Sequence, residues 1–342
     1  MHLLVIRTSA MGDVALTVPV IGSLRVQHPE IRVTLLTRPL FRPFFSSLPS
    51  LDIRDARFDG IHKGFTGLIR LYRDCTRDGD YDYIIDLHDV LRTKILRWLF
   101  RLSGKKSFVI DKGRREKRKL IRGKNKSALR HTVERYLDVF SRAGINIDPM
   151  KWKGILPAPG AIEKIGGIID NSAVMNIGIA PYARHPLKVW PEEYVRQLAE
   201  MISGKQDVKF WLFGGRDEYG RLSVLQSAIP GSVLAAEDLT LDEQLALMSR
   251  LDLMISMDSA NMHMASLAGT KVISVWGATD PLAGFGAWNQ PVEFSMSIPV
   301  DELTCRPCTV YGKGKCRRGD FACMRWLLPG MIFTRLIQLE LL

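Results

Sequence analysis

The chain has 342 residues, a formal net charge of +12, and 46% apolar and 25% charged residues. That length accommodates about two domains with separate cores, and the balance is that of a globular protein, not a disordered or fibrous one. No apolar run approaches the ~18 residues of a membrane span, and the start, MHLLVIRTSAMGD, lacks a basic n-region and a cleavage site, so a cytoplasmic protein without a signal peptide is expected.

In chain order, residues 2–7 read as an apolar strand. TSAMGD (8–13) is a small-residue turn with Asp13 at its mouth, and 14–26 has helical spacing, with Pro19 expected to kink it or mark an irregular first turn. Residues 32–37 (RVTLLT) form the next strand. The GxGxxG dinucleotide fingerprint and the Walker A loop are both absent, which argues against a nicotinamide oxidoreductase and a P-loop enzyme. A short strand over 53–58, a helix over 67–77, a strand over 81–87 ending in His88 and Asp89, a helix over 90–102 and a strand over 108–110 continue the alternation.

The run 112–130, KGRREKRKLIRGKNKSALR, carries much of the charge excess: residues 1–155 hold 31 Lys and Arg against 16 Asp and Glu, the rest 17 against 20. It reads either as a solvated loop or helix face, or as an attractor for an anionic partner such as a phosphorylated lipid or the inner membrane surface. No aromatic residues interleave it and no reader motif accompanies it, so nucleic acid is not expected as a partner. An amphipathic helix follows over 131–143, ended by Gly144. Dense Pro and Gly at 149–167 mark a domain boundary.

The second half restarts the alternation, with a strand over 176–180, a loop carrying Arg184, His185 and Lys188, and a helix opened by Trp190-Pro191-Glu192-Glu193. A strand over 209–213 runs into the Gly-rich turn GGRDE (214–218), and a helix over 241–250 leads to LDLMISMDSANMHMASLAGTKVISVWGATDP. There a strand, a helix of about ten residues and a second strand make a βαβ unit with parallel strands. Asp258-Ser259-Ala260 sits beyond the first strand, at a helix N-terminus whose unpaired N–H groups favour phosphate. Asp258 and Ser259 equally fit plain helix caps. Two such halves imply two doubly wound sheets facing a cleft.

These pieces together resemble glycosyltransferase family 9, the lipopolysaccharide heptosyltransferase type. The resemblance covers nearly the whole chain: VIRTSAMGDVALTVPV, KVWP at 188–191, GGRDE, DSANMHMASLAGT, WGATDP, and CRPC with two further cysteines. It implies an α/β GT-B architecture of two doubly wound Rossmann-like domains facing a central cleft. Residues 1–155 would bind acceptor, 156–325 would bind the nucleotide sugar, and helix 326–342 would pack back on the first domain. The activity implied is an inverting, metal-independent transfer of a heptose or similar sugar. No cofactor would be required, the donor being ADP-heptose or another nucleotide-diphospho-sugar and the acceptor an anionic glycolipid or saccharide such as the lipopolysaccharide core.

Residue by residue, Asp13 matches the family's catalytic general base, and Lys188 matches a lysine that contacts the donor phosphates. Glu218, or its neighbour Asp217, matches the acid that holds the ribose. Asp258, Ser259 and Ala260 match the phosphate turn, and His263 the histidine five residues after that aspartate. Ser9, Gly12, Arg184 and Leu239 are further donor-binding candidates. Two departures stand out. Ala260 replaces a usual Gly, which matters if that residue needs φ > 0 and less if it only needs room; Ala183 and Arg184 stand where hydroxyl residues are usual.

Acceptor candidates in the basic half are His88, Arg92, Lys112 with the run to 126, and His131, and the protein is expected to be peripheral at the inner face of the inner membrane. Cys305, Cys308, Cys316 and Cys323 form C-x2-C-x7-C-x6-C, which fits zinc, a disulfide or plain thiols. Rival functions are a nucleotide-sugar epimerase of the same architecture and a non-catalytic nucleotide-sugar or anion-binding module.

Overall fold

The structure, a computed structural model, describes residues 1–77, 79–124, 127–169 and 174–342. Two compact units are present: Met1–Lys112 with Thr132–Leu156, and Gly113–His131 with Pro157–Leu342. In the first, β1 (His2–Ile6), α1 (Met11–Ala15), α2 (Val18–Gln27), β2 (Arg32–Thr37), β3 (Leu51–Asp55), α3 (Gly64–Arg77), β4 (Tyr83–Asp86), α4 (Leu91–Leu102) and β5 (Lys106–Val109) follow in order. After α5 (Arg114–Ile121), which belongs to the second unit, α6 (Thr132–Arg142) completes the first. Its sheet is parallel throughout, with strand order β3-β2-β1-β4-β5.

β1 is buried over its whole length, as a central strand covered on both faces must be. The run 14–26 is not one helix. α1 stops after Ala15 and α2 begins at Val18 with Pro19 in its first turn, where proline's missing N–H costs nothing. Residues 18–25 of α2 are all buried, Ser23 and Arg25 among them, so most of this helix lies inside the unit and only its last turn, with Val26, is exposed. Gly22 gives it room, since a Cβ there would stand 2.4 Å from Cγ of Trp152.

The second unit contains α7 (Pro159–Gly166), β6 (Met175–Ala180), α8 (Glu192–Ser203), β7 (Val208–Leu212), α9 (Tyr219–Ala228), β8 (Val233–Leu234), α10 (Ala235–Asp238), α11 (Leu241–Met248), β9 (Leu253–Met257), α12 (Ala260–Leu267), β10 (Lys271–Val275), β11 (Ser295–Met296), α13 (Ala322–Arg325) and α14 (Pro329–Gln338). Its parallel sheet has the order β11-β10-β9-β6-β7-β8. Counted from its own first strand this is 3-2-1-4-5-6 reversed, so both units are doubly wound in the same sense.

Two domain expectations change. The chain does leave the first unit near residue 156, but 113–131 also belongs to the second. There the Leu129 N–H donates to the carbonyl of Leu282 at 2.8 Å, and the Lys117 ammonium lies 5.5 Å from the Phe285 ring centre. The last helix, expected to cross back to the first domain, packs on α8 with Ile332 and Leu336 in the second unit's own core. Burying each of those side chains contributes about 1.5–3 kcal/mol.

The loop that receives 113–131 depends on one glycine. Gly284 has φ +81°, and a Cβ there would lie 2.3 Å from the carbonyl oxygen of Arg130. Backbone cannot yield as a flexible side chain does, so Gly284→Ala is expected to destabilise the protein by roughly 2–4 kcal/mol. A thermal melt checks this, and an unchanged midpoint would show that the contact is not needed.

Candidate functional site

In a doubly wound sheet the connections leave in opposite directions from one pair of adjacent strands, and ligands bind beyond the carboxyl ends of that pair. The first sheet's pair is β1 and β4, with Ile6 opposite Asp86; the second's is β6 and β9, with Ala180 opposite Ser256. Just past these four strand ends stand Asp13, His88, Lys188 and Asp258. Within each unit, the sequence-picked residues fall at the position the topology prescribes.

In the first unit Arg7, buried at the end of β1, places Nη2 2.6 Å from Oδ2 of Asp13, whose side chain is 42% exposed. Burial pulls this guanidinium down, but Asp13 and its surroundings raise it more, so it stays a fixed cation. A second Arg7 nitrogen donates to the Leu87 carbonyl. The Tyr136 hydroxyl donates to the backbone carbonyl of Asp13 at 3.0 Å, and burial keeps that phenol protonated. Asp13 is therefore held through side chain and backbone in the first turn of α1, where the helix dipole favours a negative charge.

His88 is buried, with Nδ1 sharing a hydrogen bond with Thr8 Oγ1 at 3.0 Å and Nε2 one with Ser9 Oγ at 3.2 Å. Asp86, fully buried, shapes the same turn: its Oδ1 accepts from the N–H groups of His88 and Asp89, and its Oδ2 faces Nε of Arg97 at 3.0 Å. His88, expected to meet acceptor, thus braces the Thr8-Ser9 turn ahead of Asp13. Burial, then Arg7 and Lys112, push its pKa down to about 3.

The unfolded chain protonates His88 below 6.5 whereas the folded chain does not, so this site's stability is complete above pH 6.5 and is lost as pH falls toward 3. The loss at pH 5 is about 2 kcal/mol. Urea denaturation of His88→Gln at pH 7 and pH 5 should show a pH difference in stability smaller than the wild type's by that amount. An identical difference would mean that His88 is not the buried neutral group described.

In the second unit Asp258 is buried at the end of β9. Its Oδ2 accepts from Thr279 Oγ1 at 2.7 Å and lies 2.7 Å from Nζ of Lys188, itself only 13% exposed. Asp258 is not the cap of α12. Ser259 occupies that position and makes no side-chain capping bond; its hydroxyl lies 3.3 Å from that of Ser256. The helix start, uncapped by a side chain, remains a suitable anion site beside an anchored ammonium. Ala260 is the first helical residue and does not have positive φ, so this turn requires room rather than a left-handed dihedral. His263 is buried within α12. The Lys188 stem lies on Gly312, where a Cβ would come within 2.7 Å of it.

A cavity of about 1130 Å³ opens beside the loop after β6, lined by Arg184, Trp190, Asp217, Glu218, Arg221 and Met324 among others. Glu218 is half-buried, its pKa raised by burial, and its Oε2 accepts from the Gly215 N–H at 2.8 Å. The Arg221 guanidinium stacks 4.0 Å over the Tyr182 ring and pairs with Glu192 at 2.6 Å. The structure thus gathers Arg184, Asp217 and Glu218 at one cavity and Lys188, Asp258, Ser259 and Ala260 at the neighbouring turn. Leu239 is half-buried before α11, its carbonyl accepting from Gln244.

Among the acceptor candidates, Arg92 is exposed and stacks 4.8 Å over Phe58, and Lys112 reaches the Asp89 carbonyl at 3.3 Å. His131 belongs to the second unit, where Nε2 lies 3.1 Å from the Gly286 carbonyl and the ring 4.9 Å from Trp288. Residues 125 and 126 of the basic run lie outside the described residues. Gly12 is buried in α1.

The four clustered cysteines are free thiols around one small cavity with Arg306 and Ala278. Burial raises Cys308 and pushes Cys323 up to about 11. Among the described residues no three potential ligands are arranged to hold a metal. Arg306, between the first two cysteines, is buried; it donates to the carbonyls of Gly277 at 2.6 Å and Thr279 at 3.1 Å and pairs with Asp280 at 3.2 Å. The CRPC segment therefore fixes the loop that carries Thr279, the partner of Asp258.

Two parallel, doubly wound sheets of this order are the GT-B class of glycosyltransferase fold, as the solved structures confirm. The family 9 glycosyl transferase of Veillonella parvula DSM 2008 matches with a TM-score of 0.77 at 20% identity, covering 99% of this chain and 96% of that one. ADP-heptose lipopolysaccharide heptosyltransferase II of Escherichia coli matches at 0.71 and 16%, covering 99% and 98%. In sequence, lipopolysaccharide heptosyltransferase 3 of Escherichia coli is 25% identical over 286 residues, covering 79% of this chain and 81% of that protein. Residues 70–313 match glycosyltransferase family 9 (heptosyltransferase). The chain belongs to that family and is a glycosyltransferase.

Proposed function

We propose that the protein transfers a heptose or closely related sugar from a nucleoside diphospho-sugar, ADP-heptose in the first instance, to a lipopolysaccharide-core or other anionic cell-envelope saccharide. Transfer proceeds with inversion and without a metal. Asp13 takes the proton from the acceptor hydroxyl as that oxygen attacks the anomeric carbon; the bond to the diphosphate breaks and the nucleoside diphosphate departs. Lys188 and the start of α12 absorb the negative charge that develops on the leaving group. Glu218 or Asp217 accepts the ribose hydroxyls in the cavity, with Arg184 on its wall.

The observation that carries the reading is the second unit's phosphate turn: a lysine anchored by a buried aspartate beside an uncapped helix start. The exposed cations of the first unit, Arg92 among them, support an anionic acceptor. A thermal-shift comparison of ADP-, GDP-, UDP- and dTDP-sugars tests the donor. Saturating ADP-heptose should raise the melting midpoint in proportion to its affinity. No shift with any ADP-sugar, alongside a shift with another nucleotide, would overturn the donor assignment.

A further inference from the structure

Helix α4, LRTKILRWLFRL, has two apolar faces and buries only one. Thr93, Leu96 and Phe100 point inward, against the sheet and α3. At about 100° per residue, Leu91, Trp98 and Leu102 fall on the opposite side as a second stripe, with Ile95 between them half-buried against the unit's core. That stripe is on the surface: Leu91 is 74% exposed, Trp98 54% and Leu102 67%. A globular helix ordinarily turns charged and polar side chains outward along its whole outer face.

The charge around the stripe is of one sign. Between residues 90 and 110 there are six Lys and Arg and no Asp or Glu. Arg97 turns inward to Asp86 and Asp89, and Lys105 pairs with Asp80, while Lys94, 4.0 Å from Asp89, and Arg101 rim the stripe and remain exposed. Two copies meeting through this face would bring like charges together, which opposes self-association. Leu and Trp set among Lys and Arg suit the headgroup zone of an anionic bilayer, where indole and cation both stay hydrated. Among the described residues no helix is long and apolar enough to cross a membrane, so α4 would lie on the surface.

We propose that the outer face of α4 docks the protein on anionic phospholipid. This rests on the reading of a lipid-linked acceptor, and it assigns the contact to residues that follow directly after the His88 turn. The test is flotation of the full chain with vesicles of phosphatidylcholine alone or with roughly one-third phosphatidylglycerol. Wild type should float only with the anionic vesicles, and less as salt rises. The triple variant Leu91→Glu, Trp98→Glu, Leu102→Glu should lose about tenfold or more of that binding while melting as the wild type does; Trp98→Phe alone should retain most of it. Transfer to a lipid-free saccharide should be unchanged in the triple variant. Wild type that ignores anionic vesicles, a triple variant that still floats, or a dimer that the triple substitution abolishes would each overturn the proposal. Vesicle binding that follows the expected pattern in a protein that transfers no sugar would support the docking face while sinking the acceptor reading.

Discussion

Asp13→Asn is expected to lower kcat by about 10²–10⁴-fold, the usual contribution of a positioned general base, with donor affinity unchanged. The geometry explains the split. Asp13 is fixed by Arg7 at 2.6 Å and, through its carbonyl, by Tyr136, yet its carboxylate is 42% exposed and so accessible to a substrate. Its partners Arg7 and Tyr136 both belong to the first unit. Asparagine keeps the shape and one acceptor oxygen but cannot take a proton. Losing the ion pair leaves the buried Arg7 guanidinium without that carboxylate, a cost of up to about 3–5 kcal/mol, so a thermal melt accompanies the kinetics. Steady-state kinetics with donor titrations separate the cases. Undiminished kcat would remove Asp13 as the base, whereas a loss confined to donor affinity would make it a binding residue.

The second large effect concerns Lys188. Replacement by Met should weaken donor binding by about 10–100-fold, the value of one charge-assisted contact to phosphate. It should also lower kcat, since the same ammonium faces the charge that grows on the departing diphosphate. The substitution additionally strands Asp258, which is 5% exposed and keeps only the Thr279 hydroxyl among its described hydrogen-bond partners. Leaving a buried carboxylate uncompensated costs about 3–5 kcal/mol. Asp258→Asn retains the Thr279 bond but leaves the Lys188 ammonium, 13% exposed, without its carboxylate, so it should loosen Lys188 without stranding a buried carboxylate. Calorimetric titration with donor distinguishes the roles: if Lys188→Met binds donor as wild type does, the lysine merely neutralises Asp258.

Much of this was legible in the chain because strand-end chemistry is local. The apolar runs LLVI and LMISM locate the strands, so Asp258, directly after the second, and Asp13, one short turn after the first, must lie at the carboxyl edge of a parallel sheet. What was not legible depends on residues distant in sequence. Arg7 reads as the last residue of a strand; that it turns back onto Asp13 follows from burial on both faces. Tyr136 sits in an ordinary amphipathic helix, and nothing local announces its bond to the Asp13 carbonyl.

His88 is an acceptor candidate by sequence because it stands at a strand end in the basic half. The Asp86 carboxylate instead folds the turn so that the ring faces Thr8 and Ser9. Similarly, the cysteine spacing drew notice to the thiols, while Arg306 between them holds the WGATDP loop. Residues 113–131 group with the second unit through contacts distant in sequence, Lys117 with Phe285 and Leu129 with Leu282, which the Pro and Gly density at 149–167 does not announce. The C-terminal helix likewise found its apolar partner in α8.

The most direct test mixes Asp13→Asn with prebound labelled ADP-heptose and an excess of acceptor, and follows a single turnover. Donor should remain bound and unconsumed at times when the wild type has transferred it completely. Transfer at the wild-type rate from the prebound donor would contradict a base on the first unit acting on a sugar held by the second.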